Sequence, residues 1–220
     1  MQPISCVRTH KIKRFAELSR SAKHNYRLIP HHHALNDKAP GWLHGGPDVT
    51  ASAKEKLKGK TVRKNAVYAI EVLLTVSSEF FRDQGQSPGE YDFSAVQAYE
   101  SACIEWLDET FGENNVLSSV VHTHESVPHI HALILPIDPR GKLNAQHWLD
   151  GKAKLSSLQD SFAAKLSPLG VVRGLKNPTG SKARPHVRLR DFYEWVQKLG
   201  FDSLRSMISS VKPVIRRFRM

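Results

Sequence analysis

The feature that most constrains this chain is the stretch His122-Thr-His-Glu-Ser-Val-Pro-His-Ile-His131, set between two apolar segments, residues 116–122 and 129–136. Two apolar runs joined by a short polar turn containing proline read as an antiparallel hairpin. Alternate side chains of a strand share a face, so His129 and His131 point the same way and Ile130 enters the opposite layer. Across the hairpin His122 can lie opposite them, and Glu125 in the turn adds a carboxylate. Three imidazoles with a carboxylate make a divalent-metal site with positions open for water or substrate. The apolar continuation Ala132-Leu-Ile-Leu-Pro136 supplies the rigid scaffold such a site needs. Zinc, nickel and manganese all tolerate these ligands, and phosphoryl-transfer chemistry favours manganese or magnesium.

Charge points to the partner. The 220 residues carry 32 Lys plus Arg against 21 Asp plus Glu, a net charge of +11, which favours a polyanion. The cations are segregated. Arg8, Lys11, Lys13, Arg14, Arg20, Lys23 and Arg27 face a single acid, Glu17, in the first 30 residues; residues 54–64 add Lys54, Lys56, Lys58, Lys60, Arg63 and Lys64. Residues 66–125 hold eleven acids and one base, Arg82. A cationic face built from the N-terminal stretches suits nucleic acid, and binding to it should weaken steeply with salt. The absence of a basic amphipathic helix with an apolar face argues against a membrane surface.

Several classes are excluded. The longest apolar run, near residues 66–76, is broken by Glu71 and falls short of the ~18–20 residues that span a bilayer, so no membrane insertion is expected. The N-terminus lacks the apolar core of a signal peptide, and Cys6 and Cys103 form no disulfide framework, so the expected compartment is the cytoplasm. The length suits one large domain, here residues 1–200, with a basic tail or linker over 201–220.

Coarse patterning predicts a short strand at residues 4–7, an irregular loop over 28–52 and a long strand at 66–77. Ser94 sits where an N-cap belongs, and Val96, Tyr99, Cys103, Trp106 and Leu107 recur at helical spacing up to Gly112. A second helix carries Leu155, Leu158, Phe162 and Leu166 on one stripe, stopped by Pro168 and Gly170; a third carries Leu189, Phe192, Tyr193, Val196 and Leu199. Strands and helices mix without regular alternation, which predicts an α+β fold with a largely antiparallel sheet. Cys103, Trp106 and Trp195 fall on apolar helix stripes and read as core. Trp42 and Trp148 lie in loop-like sequence and could stack on bases.

A metal beside a basic face suggests phosphodiester chemistry, with the ion neutralising charge on non-bridging oxygens. Nothing resembles the acidic cluster of a two-metal nuclease, so a protein nucleophile is needed. Lys23-His24-Asn25-Tyr26-Arg27 offers the imidazole of His24 or the phenol of Tyr26, either of which could form a covalent adduct with DNA.

Taken in order, SAKHNYR, VRKNAV before a strand, HTHESVPHIH before an apolar strand, and GSKARPHVRLRDFYEWV resemble the motifs of the Mob/Pre (MobV-type) plasmid mobilisation relaxases, within the HUH endonuclease group. The resemblance spans roughly residues 5–197. It implies a central antiparallel sheet flanked by helices, with the histidine motif on a central strand. It also implies nicking of one strand at a plasmid transfer origin, attachment to the 5′ phosphate and later rejoining. By this resemblance His24 is the nucleophile, with Tyr26 the alternative; His122, His129, His131 and Glu125 hold the metal, Glu125 serving as ligand or as acid/base group. Lys23, Asn25, Arg27, Arg63, Lys64, Lys182 and Arg184 are the expected DNA contacts. The DNA would be single-stranded or extruded as a hairpin, and further partners would be a conjugative coupling protein and a second copy joined through the C-terminal region.

The sequence departs from the family in two places. His124 stands where the motif usually has Asp, and His31-His32-His33 replaces the usual Asn/Ser/Arg-rich loop. Two other readings use the same residues: an HUH replication initiator or transposase acting through Tyr26, and a non-catalytic DNA-binding protein with a structural metal.

Overall fold

The computed structural model describes residues 2–29, 39–82, 87, 90–174 and 176. The chain divides into a compact unit up to Gly174 and a second unit from Leu175. The helix expected at 189–199, Trp195, Lys182, Arg184, the 201–220 tail and the His31–His33 run lie outside the described residues.

The first unit is built on a six-stranded sheet of order β2-β4-β5-β3-β1-β6. Its strands are β1 (Ile4–Ile12), β2 (Gly41–Gly45), β3 (Ala69–Val76), β4 (Val116–His122), β5 (His129–Ile134) and β6 (Val172–Arg173). All pairings are antiparallel except β1 with β6, so the sheet is mixed at one edge. The helices are α1 (Phe15–Asn25), α2 (Val49–Leu57), α3 (Phe93–Phe111), α4 (Gln146–Leu149) and α5 (Gly151–Leu166).

The sheet has two unequal faces. On one, Val72, Leu74, Val76, Ile130, Ala132 and Ile134 pack with Tyr99, Cys103, Trp106, Leu107, Phe162 and Leu166 in a continuous core. On the other, Ile12, Ala69, Leu117, Leu133 and Leu135 pack beneath α1 and α2 through Leu18, Ala22, Val49, Ala53 and Leu57. That second core ends partway along the strands. Alternation continues the same face through Leu73 and Thr75 on β3 and through His131 and His129 on β5. The histidines thus stand on a stretch of sheet that the helices leave open.

The hairpin of β4 and β5, helices α3 and α5, and the core placement of Cys103 and Trp106 match the sequence expectations. Other local expectations are corrected. β1 extends to Ile12, because eight backbone pairs with β3, from Ser5↔Val76 to Ile12↔Ala69, carry the strand through polar Arg8–Lys11. The supposed loop at 28–52 contains β2 and the start of α2, whose N-cap Asp48 accepts from the Ala51 amide. Gly45 is required there: its φ is +66°, and an added Cβ would lie 2.1 Å from the Leu117 carbonyl oxygen. Asp92, not Ser94, caps α3, accepting from the Ser94 and Ala95 amides. Leu155 is 42% exposed and leaves the α5 stripe to Leu158, Phe162 and Leu166. Trp148 is buried in α4 with its indole donating to the Thr110 carbonyl, so it cannot serve as a base-stacking surface.

Candidate active site

The strand register assembles the histidines. His122 pairs with His129 across β4 and β5, and His131 follows two residues along the same face. The His122 ring centroid lies 5.1 Å from that of His129, 4.8 Å from His131 and 4.9 Å from His124. One ring nitrogen from each of His122, His129 and His131 falls within 4.8 Å of the others; His122, His124 and Glu125 form a second such group.

The nitrogens are poised to accept. His122 Nε2 is 2.7 Å from the Asn25 carbonyl and His129 Nδ1 is 2.9 Å from the Val127 carbonyl. A carbonyl only accepts, so these two nitrogens carry the protons, leaving lone pairs on His122 Nδ1 and His129 Nε2. Those lone pairs face Glu125, at 3.4 Å from Oε1 and 3.9 Å from Oε2 respectively. Acceptors facing a carboxylate need a cation between them. His122 Nδ1 is buried, and no described residue donates a hydrogen bond to it. The donor set therefore fits a divalent ion, with Asn25, Val127 and Glu71 as the outer partners that fix ring orientation.

Glu71 is the site residue that sequence reading missed. Its Oε1 lies 3.8 Å from His131 Nδ1, and Ser21 donates to its Oε2 at 3.4 Å. Burial pushes its carboxyl up, but His131, His10 and Ser21 together hold it below the usual range. A single acid inside an otherwise apolar strand was the available signal.

The end of α1 supplies the rest. Arg27 adopts φ +58°, with Arg27 N–H donating to the His24 carbonyl and Leu28 N–H to the Lys23 carbonyl at 2.8 Å. This is a Schellman helix end with arginine where glycine is usual. It aims the Arg27 guanidinium inward, where it is 8% exposed and its Nη2 donates to Glu125 Oε1 at 2.5 Å. The Tyr91 hydroxyl also donates to the Glu125 carbonyl, holding the turn. Burial disfavours the Glu125 anion, yet the neighbouring His122 ring and the bonded Arg27 guanidinium hold its carboxyl far below the usual range.

The two candidate nucleophiles part company at this helix end. The His24 ring faces the cluster, its centroid 6.0 Å from His131 and 6.4 Å from His122. Burial, then the charges of His131, His122 and Arg27, lowers its pKa, so the imidazole is neutral near pH 7. Tyr26 is buried edge-on against Trp42 at 5.1 Å, and burial raises its phenol pKa.

Of the expected DNA contacts, Lys23 is exposed beside the site. Arg27 is corrected: its guanidinium is buried on Glu125. So is Asn25, buried with its carbonyl bound to His122. Arg63 and Lys64 are exposed but precede β3 at Ala69, whereas the cluster sits near Thr75, six residues and roughly 20 Å of strand away.

A family model described as plasmid recombination enzyme, Mob_Pre, matches residues 47–194. The chain belongs to the Mob/Pre family. Among its relatives, a 65 kDa protein of Zymomonas mobilis is 37% identical over 163 residues, covering 71% of this chain and 26% of that protein. Plasmid recombination enzyme type 1 of Staphylococcus aureus is 30% identical over 138 residues, covering 63% of this chain and 30% of that enzyme. The chain thus spans under a third of the length of these two relatives. The crystal structure of the MobM relaxase domain, bound to plasmid pMV158 oriT DNA and manganese at pH 6.8, shares the fold. Its TM-score is 0.65 at 21% identity, over 87% of this chain and 98% of that domain. Among the described residues no helix is long and apolar enough to cross a membrane.

Proposed function

We propose that this chain is the DNA-processing part of a plasmid relaxase, which nicks one strand at a transfer origin through a covalent adduct on His24 and later rejoins it. The single observation that carries this reading is the His24 imidazole, neutral and facing His122 and His131, while the Tyr26 phenol is buried against Trp42. The fold match to a relaxase domain crystallised with origin DNA and manganese supports the substrate class and the ion.

In this reading His122, His129 and His131 hold a divalent ion, manganese or magnesium, with Glu125 beside them. The bound ion would neutralise charge on the non-bridging oxygens of the reacting phosphate. The unprotonated His24 nitrogen attacks phosphorus; the N–P bond forms as the P–O3′ bond breaks. The departing 3′ oxygen takes a proton from water, and the 5′ phosphate stays on His24 as a phosphoramidate. Rejoining reverses these steps, the 3′ hydroxyl displacing His24. Glu125, ionised and bound to Arg27, cannot donate a proton, so its part is that of ligand or proton acceptor. The chain acts on plasmid DNA in the cytoplasm, and the nucleoprotein passes to a coupling protein. Dimerisation through the C-terminal region belongs to the same proposal.

The test uses supercoiled plasmid carrying the cognate origin, with manganese or with EDTA, followed by denaturing electrophoresis. A metal-dependent adduct at the 5′ end that is labile to acid, stable to alkali and absent in His24→Ala is expected. Loss of the adduct in Tyr26→Phe with retention in His24→Ala would transfer the role to Tyr26. Unfolding on metal removal, without nicking, would favour a structural ion.

A further inference from the structure

Resting on the function just proposed, we infer that the DNA strand crosses the sheet perpendicular to its strands. An unpaired base stacks on Trp42 on one side of the histidine cluster, and Arg8 with Arg20 grip the phosphate on the other. Strand register places these groups in one line. Trp42 pairs with Val120, Val120 with His131, His131 with Leu73 and Leu73 with Arg8. Five strands at ~4.8 Å spacing put Trp42 and Arg8 about 19 Å apart with His131 midway.

Each end is built for its partner. Trp42 is 63% exposed on β2, yet its indole is braced by the Tyr26 ring, which is itself buried at the end of α1. A braced, exposed indole presents a flat surface with little left to order, which suits a base whatever its identity. At the other end a 560 Å³ cleft opens from His24 and His131 toward β1, lined by Arg8, Arg20, Leu73 and Ile29. Among the described residues neither arginine is paired with an acid; the two acids in the cleft, Glu17 and Glu71, are engaged by His10 and His131. Unpaired guanidinium groups beside an apolar floor suit a phosphate with its base lying inward. A duplex keeps its bases stacked on one another, so this track takes a single strand.

The test uses the full chain with manganese and the oligonucleotide dT12, followed by intrinsic tryptophan emission and by anisotropy of labelled dT12 across a salt series. Trp106 and Trp148 are buried and Trp195→Phe is carried in every protein compared, so quenching that disappears in Trp42→Leu reports the stacked base. Trp42→Leu should also weaken binding about 10-fold. The Arg8→Gln/Arg20→Gln double variant should lower the slope of log affinity against log salt by about 0.7, the contribution of the one single-strand phosphate the two arginines hold. Lys152→Gln, on α5 behind the sheet, should leave that slope unchanged. Undiminished quenching in Trp42→Leu, or a wild-type slope in the double variant, overturns the track while wild-type nicking leaves the proposed function standing. Failure of the wild-type chain to bind dT12 also overturns the track, whereas failure to nick plasmid carrying the cognate origin overturns the proposed function.

Discussion

Arg27 Nη2 and Glu125 Oε1 are 2.5 Å apart across 98 positions of sequence, and this ion pair ties the end of α1 to the turn between β4 and β5. It holds His24 over the histidine cluster and fixes Glu125 as an anion. Arg27→Ala leaves that carboxylate without its cation and should cost about 3 kcal/mol in denaturant unfolding, the low end for a broken buried pair because Glu125 is partly exposed. Arg27→Gly should be about 1 kcal/mol more stable than Arg27→Ala, since only glycine takes φ +58° without strain. Equal stability of the two variants would show that the helix end rearranges.

Glu71 should act on the metal through His131. Glu71→Gln is expected to lower manganese affinity by about 10–100-fold in calorimetric titration while keeping the circular dichroism spectrum. His131→Ala should abolish high-affinity binding. Unaltered affinity in Glu71→Gln would remove Glu71 from the site.

Acid should destabilise the metal-free protein well above the carboxylate range. His129 is pushed down to about 4 by burial and the neighbouring His131, and His124 to about 4 by burial and Arg27. Unfolded histidine titrates near 6.5, so the folded state carries no penalty above that pH, and the unfolded state gains protons as pH falls from 6.5 toward 4. Stability should therefore decline across this window. A thermal midpoint constant from pH 7 to 4.5 would contradict this.

Gly45 joins β2 to the sheet at a close approach. Gly45→Ala should destabilise by about 2–3 kcal/mol, because its Cβ would overlap the Leu117 carbonyl and its φ is positive. As β2 carries Trp42, the same change should weaken dT12 quenching, which a melting curve and an emission titration measure together.

Tyr26→Phe keeps the ring that braces Trp42 and removes only the hydroxyl. It should leave both the melting midpoint and the DNA adduct within error of wild type, whereas Tyr26→Ala should lose about 3 kcal/mol from the vacated buried ring.

The histidine hairpin was legible because its signals are local: period-two alternation places His129 and His131 on one face whatever the rest of the chain does. The same holds for α3 and α5, whose apolar spacing alone announces them. β2 and the start of α2 were hidden among prolines and glycines, since Gly45 signals flexibility locally but serves a close approach to β4 that only the folded sheet defines. Asn25 and Arg27 read as phosphate contacts because they sit in a basic segment. Their burial follows from a helix end that turns them toward β4 and Glu125.

Sequence by itself determined the metal-ligand chemistry, the basic character, the hairpin and the family, all properties of residue type and short spacing. Only the tertiary structure decided between His24 and Tyr26 as the side chain facing the cluster, enlisted Glu71 behind His131, and set Trp42 and Arg8 in line across five strands. These relations join residues from distant parts of the chain, and their geometry is fixed by strand register and one helix terminus, quantities that no local pattern encodes.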